Sequence, residues 1–220
     1  MPSKHRIIPA IIVWLALVPQ AFADSGAALR QAATRGDLAT VEALLAQGVP
    51  VDEPDQRGMT ALLLATWNNH PEVARVLIAE GADVNAQDVI QDSPHLVAGA
   101  EGRAEIMALT LTNDADLNLL NRYGGNALIP ACEHAHVDVV RQLIEADINL
   151  DLVNNLGWTC LLEAAILGRD DEDHLTVVRM VLEAGADPNI EDRSGITALQ
   201  HARRRGFEGM AALLEAAGGR

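Results

Sequence analysis

Apolar residues recur at helical spacing in short segments that polar turns separate from one another. Val73, Ala74, Leu77 and Ile78 fall on one face of a helix with about 3.6 residues per turn. The segment 139–144 repeats this spacing with the same kinds of residues. Glycine, aspartate and asparagine follow such segments and predict turns. The pattern therefore predicts a series of short amphipathic helices.

These segments belong to a larger unit that recurs about every thirty-three residues. A unit opens with glycine, then a residue such as threonine, then leucine, and a small residue such as Ala65 or Ala131 follows. Several units close with Gly-Ala-Asp-x-Asn, as at 81–85 and 185–189. The clearest openings are Gly58-Met59-Thr60-Ala61-Leu62, Gly124-Gly125-Asn126-Ala127-Leu128, Gly157-Trp158-Thr159-Cys160-Leu161 and Gly195-Ile196-Thr197-Ala198-Leu199.

This pattern resembles the ankyrin repeat, which runs Gly-x-Thr-Pro-Leu-His, then Gly-His-x-x-Val-Val-x-x-Leu-Leu, then Gly-Ala-Asp-x-Asn. The resemblance implies an all-α solenoid of about six stacked helix-turn-helix units with short β-hairpin fingers. Residues 24–220 are accordingly predicted to form one ankyrin-repeat domain. Its units start near Ala27, Thr60, Ser93, Asn126, Thr159 and Thr197.

Residues at the unit boundaries agree with this reading. Threonine or serine at a unit start can cap the first helix through its side-chain oxygen. Gly81 and Gly185 lie where a helix is expected to end in the left-handed conformation. Asp114 and Asp147 replace this glycine, at a cost of about 1 kcal/mol or less. The third unit also opens irregularly, with Ser93-Pro94-His95-Leu96, and is predicted to be the least stable interior unit.

The N-terminal residues predict export. A basic start at residues 4–6 is followed by an apolar run at 7–18 and by small residues up to Ala23. The run is shorter than the ~20 residues of a bilayer-spanning helix, and an uncleaved anchor is the alternative. Residues 1–23 are therefore predicted to be a signal peptide that is cleaved after Ala23. The mature chain is predicted to be periplasmic or secreted, with no membrane insertion after cleavage.

The charge of the chain restricts its partners. The sequence has 31 Asp and Glu residues against 16 Lys and Arg residues, for a net charge of −15. Cleavage after Ala23 removes Lys4 and Arg6 and no acidic residue, so the net charge becomes −17. Such a surface repels nucleic acid phosphates and anionic lipid headgroups. The charge therefore excludes nucleic acid and favours a protein partner with a basic face.

The chain has two cysteines, Cys132 and Cys160, which raises the question of whether they form a disulfide. An even number in an exported chain invites a disulfide. However, the two residues occupy different repeat positions in adjacent units, both suited to small buried residues. We therefore expect their Cα atoms to lie beyond the ~7 Å that a disulfide allows, with a bridge as the alternative.

Two polar clusters could suggest a metal, but a structural role explains each of them better. The acidic insertion at 170–173 lacks the alternating spacing and the glycine of a calcium loop, although calcium stays the alternative. It is predicted to lie in the turn between the two helices of its unit. His70, His136 and His174 share one repeat position, too far apart to hold one ion, and the resemblance gives that histidine a role in the turn. No metal site and no cofactor is predicted.

Partner-binding residues are predicted from the resemblance, because ankyrin proteins typically bind through finger tips and the concave face of the first helices. Tyrosine, tryptophan and arginine at such places dominate binding energy at interfaces. The alternative for Trp158 is that its ring folds down onto its own finger. The predicted residues are Arg122, Tyr123, Leu156, Trp158, Ile90, Trp67, Glu133 and Glu163.

The predicted function is a non-enzymatic protein–protein interaction module in the periplasm that binds a partner and protects or inhibits it. The sequence has no nucleophile elbow, Walker loop, His-Glu-x-x-His or dinucleotide-binding glycine pattern, so no catalytic residue is predicted. The alternative is a scaffold that organises the cell envelope. A metal- or small-molecule-binding protein is a weaker alternative.

Overall fold

The computed structural model describes the backbone of residues 18–220 and the side chains from residue 25 onward. This part of the chain forms twelve α-helices in six consecutive pairs, which confirms the predicted all-α solenoid. The helices are α1 (Val18–Arg35), α2 (Leu38–Ala46), α3 (Ala61–Trp67), α4 (Pro71–Ala79), α5 (Pro94–Ala100), α6 (Ala104–Leu111), α7 (Leu128–Glu133), α8 (Val137–Glu145), α9 (Cys160–Ile166), α10 (Glu172–Glu183), α11 (Ala198–Arg205) and α12 (Glu208–Ala216).

The helices stack in two layers. The first helices of the pairs contact one another in order from α1 to α11, and the second helices do so from α2 to α12. The main hydrophobic core is one cluster that runs from the first pair to the last. Leu77, Leu143 and Val181, from three different units, are fully buried in it. Each unit therefore buries its apolar stripe only because neighbouring units cover it.

The predicted signal peptide, residues 1–23, lies outside the described residues except for the backbone of 18–23. That backbone belongs to α1, which begins ahead of the unit start expected near Ala27. Within residues 18–220, no helix is both long and apolar enough to span a bilayer.

Side-chain caps begin the first helices of the units that open with threonine or serine, as predicted. The hydroxyl of Thr60 accepts a hydrogen bond from the Leu63 N–H at 3.2 Å, and Ser93 accepts one from Leu96 at the same distance. Thr159 and Thr197 act in the same way at α9 and α11. Each cap satisfies a backbone donor that has no partner within its own helix.

The left-handed helix ends also follow the prediction. Gly81 and Gly185 have φ values of 89° and 103°. Asp114 and Asp147 take φ values of 60° and 63° at the equivalent positions. Aspartate tolerates this conformation better than most residues, which explains how two units dispense with the glycine.

The fingers are shorter than the β-hairpins that the resemblance implied. In the third and fifth units the finger is a tight turn closed by short-range backbone hydrogen bonds, such as Asp88 N–H to Asp92 O at 2.9 Å and Asn154 N–H to Trp158 O at 3.0 Å. Among the described residues, the β-pairing of the fingers is limited to one isolated bridge, between Glu191 and Thr197. The fingers are therefore tight turns.

The histidines at the shared repeat position connect neighbouring units. The Nε2 atoms of His70, His136 and His174 each lie 3.1 Å from a backbone carbonyl oxygen at the end of the preceding unit's first helix, those of Thr34, Ala100 and Glu133. A carbonyl oxygen only accepts, so each imidazole donates. The prediction placed these histidines in the turn between the two helices of a unit. His70 and His136 lie there, directly before α4 and α8, whereas His174 lies inside α10.

The acidic insertion of the fifth unit caps two helices. Asp171 accepts from the His174 N–H at 3.1 Å and begins α10. Asp170 reaches the next unit, where it accepts from the N–H groups of Gly209 and Met210 at 3.0 and 2.8 Å. It thereby satisfies free donors in the first turn of α12. Between residues 18 and 220, no group of three or more His, Cys, Asp and Glu residues could hold a metal ion.

The Asp170→Ala substitution is expected to lower the free energy of unfolding by about 1 to 2 kcal/mol, because it removes the cap of α12. Urea unfolding followed by circular dichroism measures this change. Asp173→Ala is the control, because Asp173 is exposed in the same insertion. Millimolar calcium is expected to leave the melting temperature unchanged. A calcium-dependent increase that Asp170→Ala abolishes would instead identify a calcium site.

Cys132 and Cys160 form a disulfide, so the expectation that their Cα atoms lie too far apart is wrong. The two Cα atoms are 5.4 Å apart, within the range that a disulfide requires. The cause is the offset between stacked units, which sets a position late in one first helix against the start of the next. The same two positions one unit earlier are Gly99 and Ala127, and a Cβ added at Gly99 would lie 2.8 Å from that of Ala127.

Candidate functional site

A cleft of about 440 Å³ lies between the first helices of the second to fifth units and the fingers of the third to fifth units. Trp67 of α3, Leu96 of α5 and Ile129 of α7 contribute apolar side chains from the helices. Tyr123 and Leu156 line it from the fingers of the fourth and fifth units. The cleft therefore joins both surfaces at which the sequence predicted binding.

A side-chain turn motif holds these fingers in place. Asn154 accepts from the N–H groups of Leu156 and Trp158 at 2.9 and 3.1 Å through one side-chain oxygen. Asn121 does the same for Tyr123 and Gly125, at 2.9 and 3.1 Å. Asparagine is suited to such turns because its amide oxygen imitates a backbone acceptor. The tips that carry Tyr123 and Leu156 are therefore fixed before any partner arrives.

Large apolar side chains are exposed around the cleft. Tyr123 is 51% exposed, and Leu156 and Leu167 are each 47% exposed. Ile90, at 45%, projects from the finger of the third unit just outside the cleft lining. Exposed apolar groups that cluster in this way typically mark an interaction surface.

Arg122 is already engaged by the protein itself. Its Nη1 donates to both carboxylate oxygens of Asp92, at 3.0 and 3.1 Å, and its guanidinium lies 5.0 Å from the centre of the Tyr123 ring. This pair ties the finger of the fourth unit to that of the third. Arg122 therefore positions the fingers and does not add a free positive charge to the cleft.

Glu133 and Glu163 contribute negative charge to the cleft from neighbouring helices. Glu163 is only 5% exposed, and its carboxylate accepts from the Asn154 side-chain N–H at 2.8 Å. Burial, and then the charge of Glu133, raise the pKa of Glu163 to about 7. Among the described residues, neither carboxylate forms an ion pair.

In the sixth unit, a basic and an acidic residue occupy the two positions that Glu163 and Asn154 hold in the fifth unit. There, the helix residue is His201 and the finger residue is Asp192, and their side chains meet at 2.8 Å. In the fifth unit, the acid is on the helix and a neutral amide is on the finger. The side chain that contacts Glu163 from the finger is therefore the neutral amide of Asn154 and not a base.

Six of the eight predicted partner-binding residues line this one cleft, and two lie elsewhere. Trp158 packs against the hydrophobic core and lies half-buried, whereas its alternative placed the ring on its own finger. Ile90 lies on the finger of the third unit, outside the cleft lining. The lining residues found in the prediction are Trp67, Arg122, Tyr123, Glu133, Leu156 and Glu163.

The cleft residues that the sequence did not predict include Asp92, Asn154 and Leu167. Leu167 had a usable signal, because equivalent positions in other units hold polar residues such as His134 and Arg205. Asp92 and Asn154 had no comparable signal, since polar residues are ordinary in fingers.

Comparison with known proteins gives consistent matches. The family profile for ankyrin repeats (3 copies) matches residues 10–88 and 95–192. A solved ankyrin repeat domain from Acinetobacter baumannii AYE is 50% identical with a TM-score of 0.84, over 87% of this chain and 98% of that one. The solved ankyrin repeat protein EF0377 is 42% identical with a TM-score of 0.83, over 86% of this chain and 97% of that one.

A further match, to the ankyrin repeat protein YahD of Escherichia coli (strain K12), is local. The two sequences are 47% identical over 60 residues, which make up 27% of this chain and 30% of YahD. The chain therefore spans less than a third of the length of that relative.

Proposed function

Because this chain belongs to the ankyrin-repeat family, whose repeats bind other proteins, we propose that it is an exported, non-enzymatic module that holds a partner protein in the cleft. The exposed apolar group of Tyr123, Leu156 and Leu167 around the cleft is the observation that carries this proposal. The partner is protected or inhibited by having one of its surface segments covered.

The distribution of exposed apolar residues favours this role over that of an envelope scaffold. A scaffold that joins two surfaces needs separate patches, one for each. In the described chain, the large exposed apolar side chains all lie between the third and fifth units. They are Val89, Ile90, Leu120, Tyr123, Val153, Leu156 and Leu167.

Two observations support export. The N-terminal 23 residues have the features of a signal peptide. In addition, the Cys132–Cys160 disulfide is of a kind that persists in oxidising compartments and is rare in the cytosol. The proposed location is therefore the periplasm or the extracellular space.

A photocrosslinking amino acid at position 123 tests the proposal in native cells. Amine-reactive reagents are unsuitable, because Lys4 is the only lysine in the sequence and lies in the predicted signal peptide. The expected result is one specific adduct. Adding Leu156→Ala and Leu167→Ala is expected to reduce its yield at least about tenfold, because truncation of a central interface side chain costs about 1 kcal/mol or more.

The same photocrosslinker at Arg179, which is exposed on α10, is the matched control and is expected to give no adduct. An adduct from position 179 alone would reject the cleft. No adduct from either position would contradict the binding function. In the same cells, the mature protein is expected in the exported fraction with Asp24 at its N-terminus, and retention in the cytosol would contradict export.

A further inference from the structure

We propose that the cleft recognises one basic side chain, which a partner segment inserts between Glu133 and Glu163, with its apolar neighbours against Tyr123 and Leu156. This inference rests on the proposed function, since it specifies the chemistry of the segment that the cleft binds. It is carried by the charges and the apolar surfaces that the cleft brings together.

Only some of the carboxylates that line the cleft are paired with a cation. Four of them line it, and two have a cation of their own: Asp92 pairs with Arg122 at 3.0 Å and Glu101 with Arg103 at 3.6 Å. Glu133 and Glu163 have none among the described residues. The acids without a cation of their own are therefore concentrated on α7 and α9, and a positively charged occupant complements them.

Glu163 is prepared for such an occupant. Its carboxylate is almost fully buried, and the Asn154 amide donates to it at 2.8 Å and thereby orients it. A buried carboxylate without a cation is costly, and a second carboxylate nearby increases that cost. A guanidinium or ammonium group that reaches both acids offsets both costs at once.

The apolar lining suits the remainder of a basic residue. Trp67, Tyr123, Leu156 and Leu167 line the same cleft as the acidic pair. Long basic side chains pack their methylene groups on apolar surface while the charged end reaches a polar partner. Aromatic rings beside the path further favour a cation.

Proton release should accompany binding. Glu163 loses its proton to bind a cation, and its pKa of about 7 places this change near neutrality. Affinity should therefore rise as pH increases towards about 7 and level off above it. The other titratable or charged groups that line the cleft are Glu133, His134, Glu101 and the Asp92–Arg122 pair. On α11, which packs against α9, His201 pairs with Asp192, and Arg205 donates to backbone carbonyls near the end of α9.

Two matched peptides test the inference on the purified protein. One is a blocked pentapeptide with arginine between two leucines. The other carries citrulline, which has nearly the shape of arginine but no charge, at the same place. The arginine peptide is expected to bind at least about tenfold more tightly by nuclear magnetic resonance titration, because a close charge pair contributes that much or more. Its affinity is expected to fall about tenfold from pH 8 to pH 6.

Substitutions assign this preference to the cleft. Glu163→Gln keeps an acceptor for Asn154 and is expected to bind the two peptides equally, and Glu133→Gln is expected to reduce the preference. Glu183→Gln makes the same change in charge at an exposed position on α10 and is expected to keep the preference. Circular dichroism checks that each variant is folded.

Three results would overturn the inference. Equal binding of both peptides by the wild-type protein would leave only an apolar groove. If Glu163→Gln and Glu183→Gln reduced the preference for the arginine peptide equally, the preference would come from the overall negative charge of the protein. The absence of binding at millimolar concentration would reject recognition of a basic side chain. A specific adduct from position 123 would still support the binding function in each case, so the two proposals fail separately.

Discussion

Replacing His95 with leucine is expected to stabilise the protein at neutral pH and to remove much of its loss of stability in acid. His95 is fully buried in the first helix of the third unit. The equivalent positions hold Leu62, Leu128, Leu161 and Leu199, all of which lie in the core or against it.

The gain at neutral pH comes from a ring nitrogen that has no partner. The Nδ1 of His95 lies 3.1 Å from the Thr110 hydroxyl, but its Nε2 is buried without a hydrogen bond. An unsatisfied buried polar group costs about 1 to 3 kcal/mol. The Thr110 hydroxyl still donates to the Met107 carbonyl at 2.9 Å after the substitution. We therefore expect a gain of about 1 to 2 kcal/mol.

The acid effect follows from a depressed pKa. Burial lowers the pKa of His95 from its ordinary value of 6.5 to about 4, against a smaller opposing effect of Asp116. Between these values the unfolded chain binds a proton that the folded chain does not. Protonation of His95 therefore leaves the free energy of unfolding unchanged above about pH 6.5 and lowers it as pH decreases, by about 3 kcal/mol at pH 4.

Urea unfolding of both proteins between pH 7 and pH 4 measures this difference. The His95→Leu protein is expected to lose about 3 kcal/mol less over that interval. His134→Leu is the matched control, because that ring is exposed, and it is expected to follow the wild type. Parallel losses in the wild type and His95→Leu would show that other groups cause the acid sensitivity.

Removing the disulfide with Cys132→Ala and Cys160→Ala is expected to lower the free energy of unfolding by about 3 kcal/mol. The bridge joins α7 to α9 across 28 residues of sequence, and it restricts the unfolded chain accordingly. Both cysteines are fully buried in the core, and alanine leaves small voids there that add to the loss.

Guanidinium unfolding of the oxidised wild type and the double variant provides the measurement. A reductant is expected to lower the unfolding midpoint of the wild type and to leave that of the double variant unchanged. Equal midpoints for the oxidised wild type and the double variant would show that the bridge does not stabilise the solenoid. The disulfide also joins the units that carry Glu133 and Glu163. The double variant is therefore expected to bind its partner less tightly as well as to be less stable.

Sequence alone determined the features that depend on neighbours within one repeat. The caps at Thr60 and Ser93 and the left-handed turn at Gly81 are local, because each involves atoms only a few residues apart. Recurrence of the unit then predicted the solenoid, since stacked copies bury the same apolar positions. It also predicted Tyr123 and Leu156 at exposed finger positions, because a position has the same surroundings in each unit.

The tertiary structure alone decided the features that join one unit to the next. The Cys132–Cys160 bridge, the Asp170 cap of α12 and the closeness of Glu133 to Glu163 all depend on the offset between stacked units. Sequence similarity aligns equivalent positions, but it does not specify which non-equivalent positions meet across a boundary. Burial of Glu163 likewise results from several units closing around it, so the chemistry of the cleft was not visible in any single repeat.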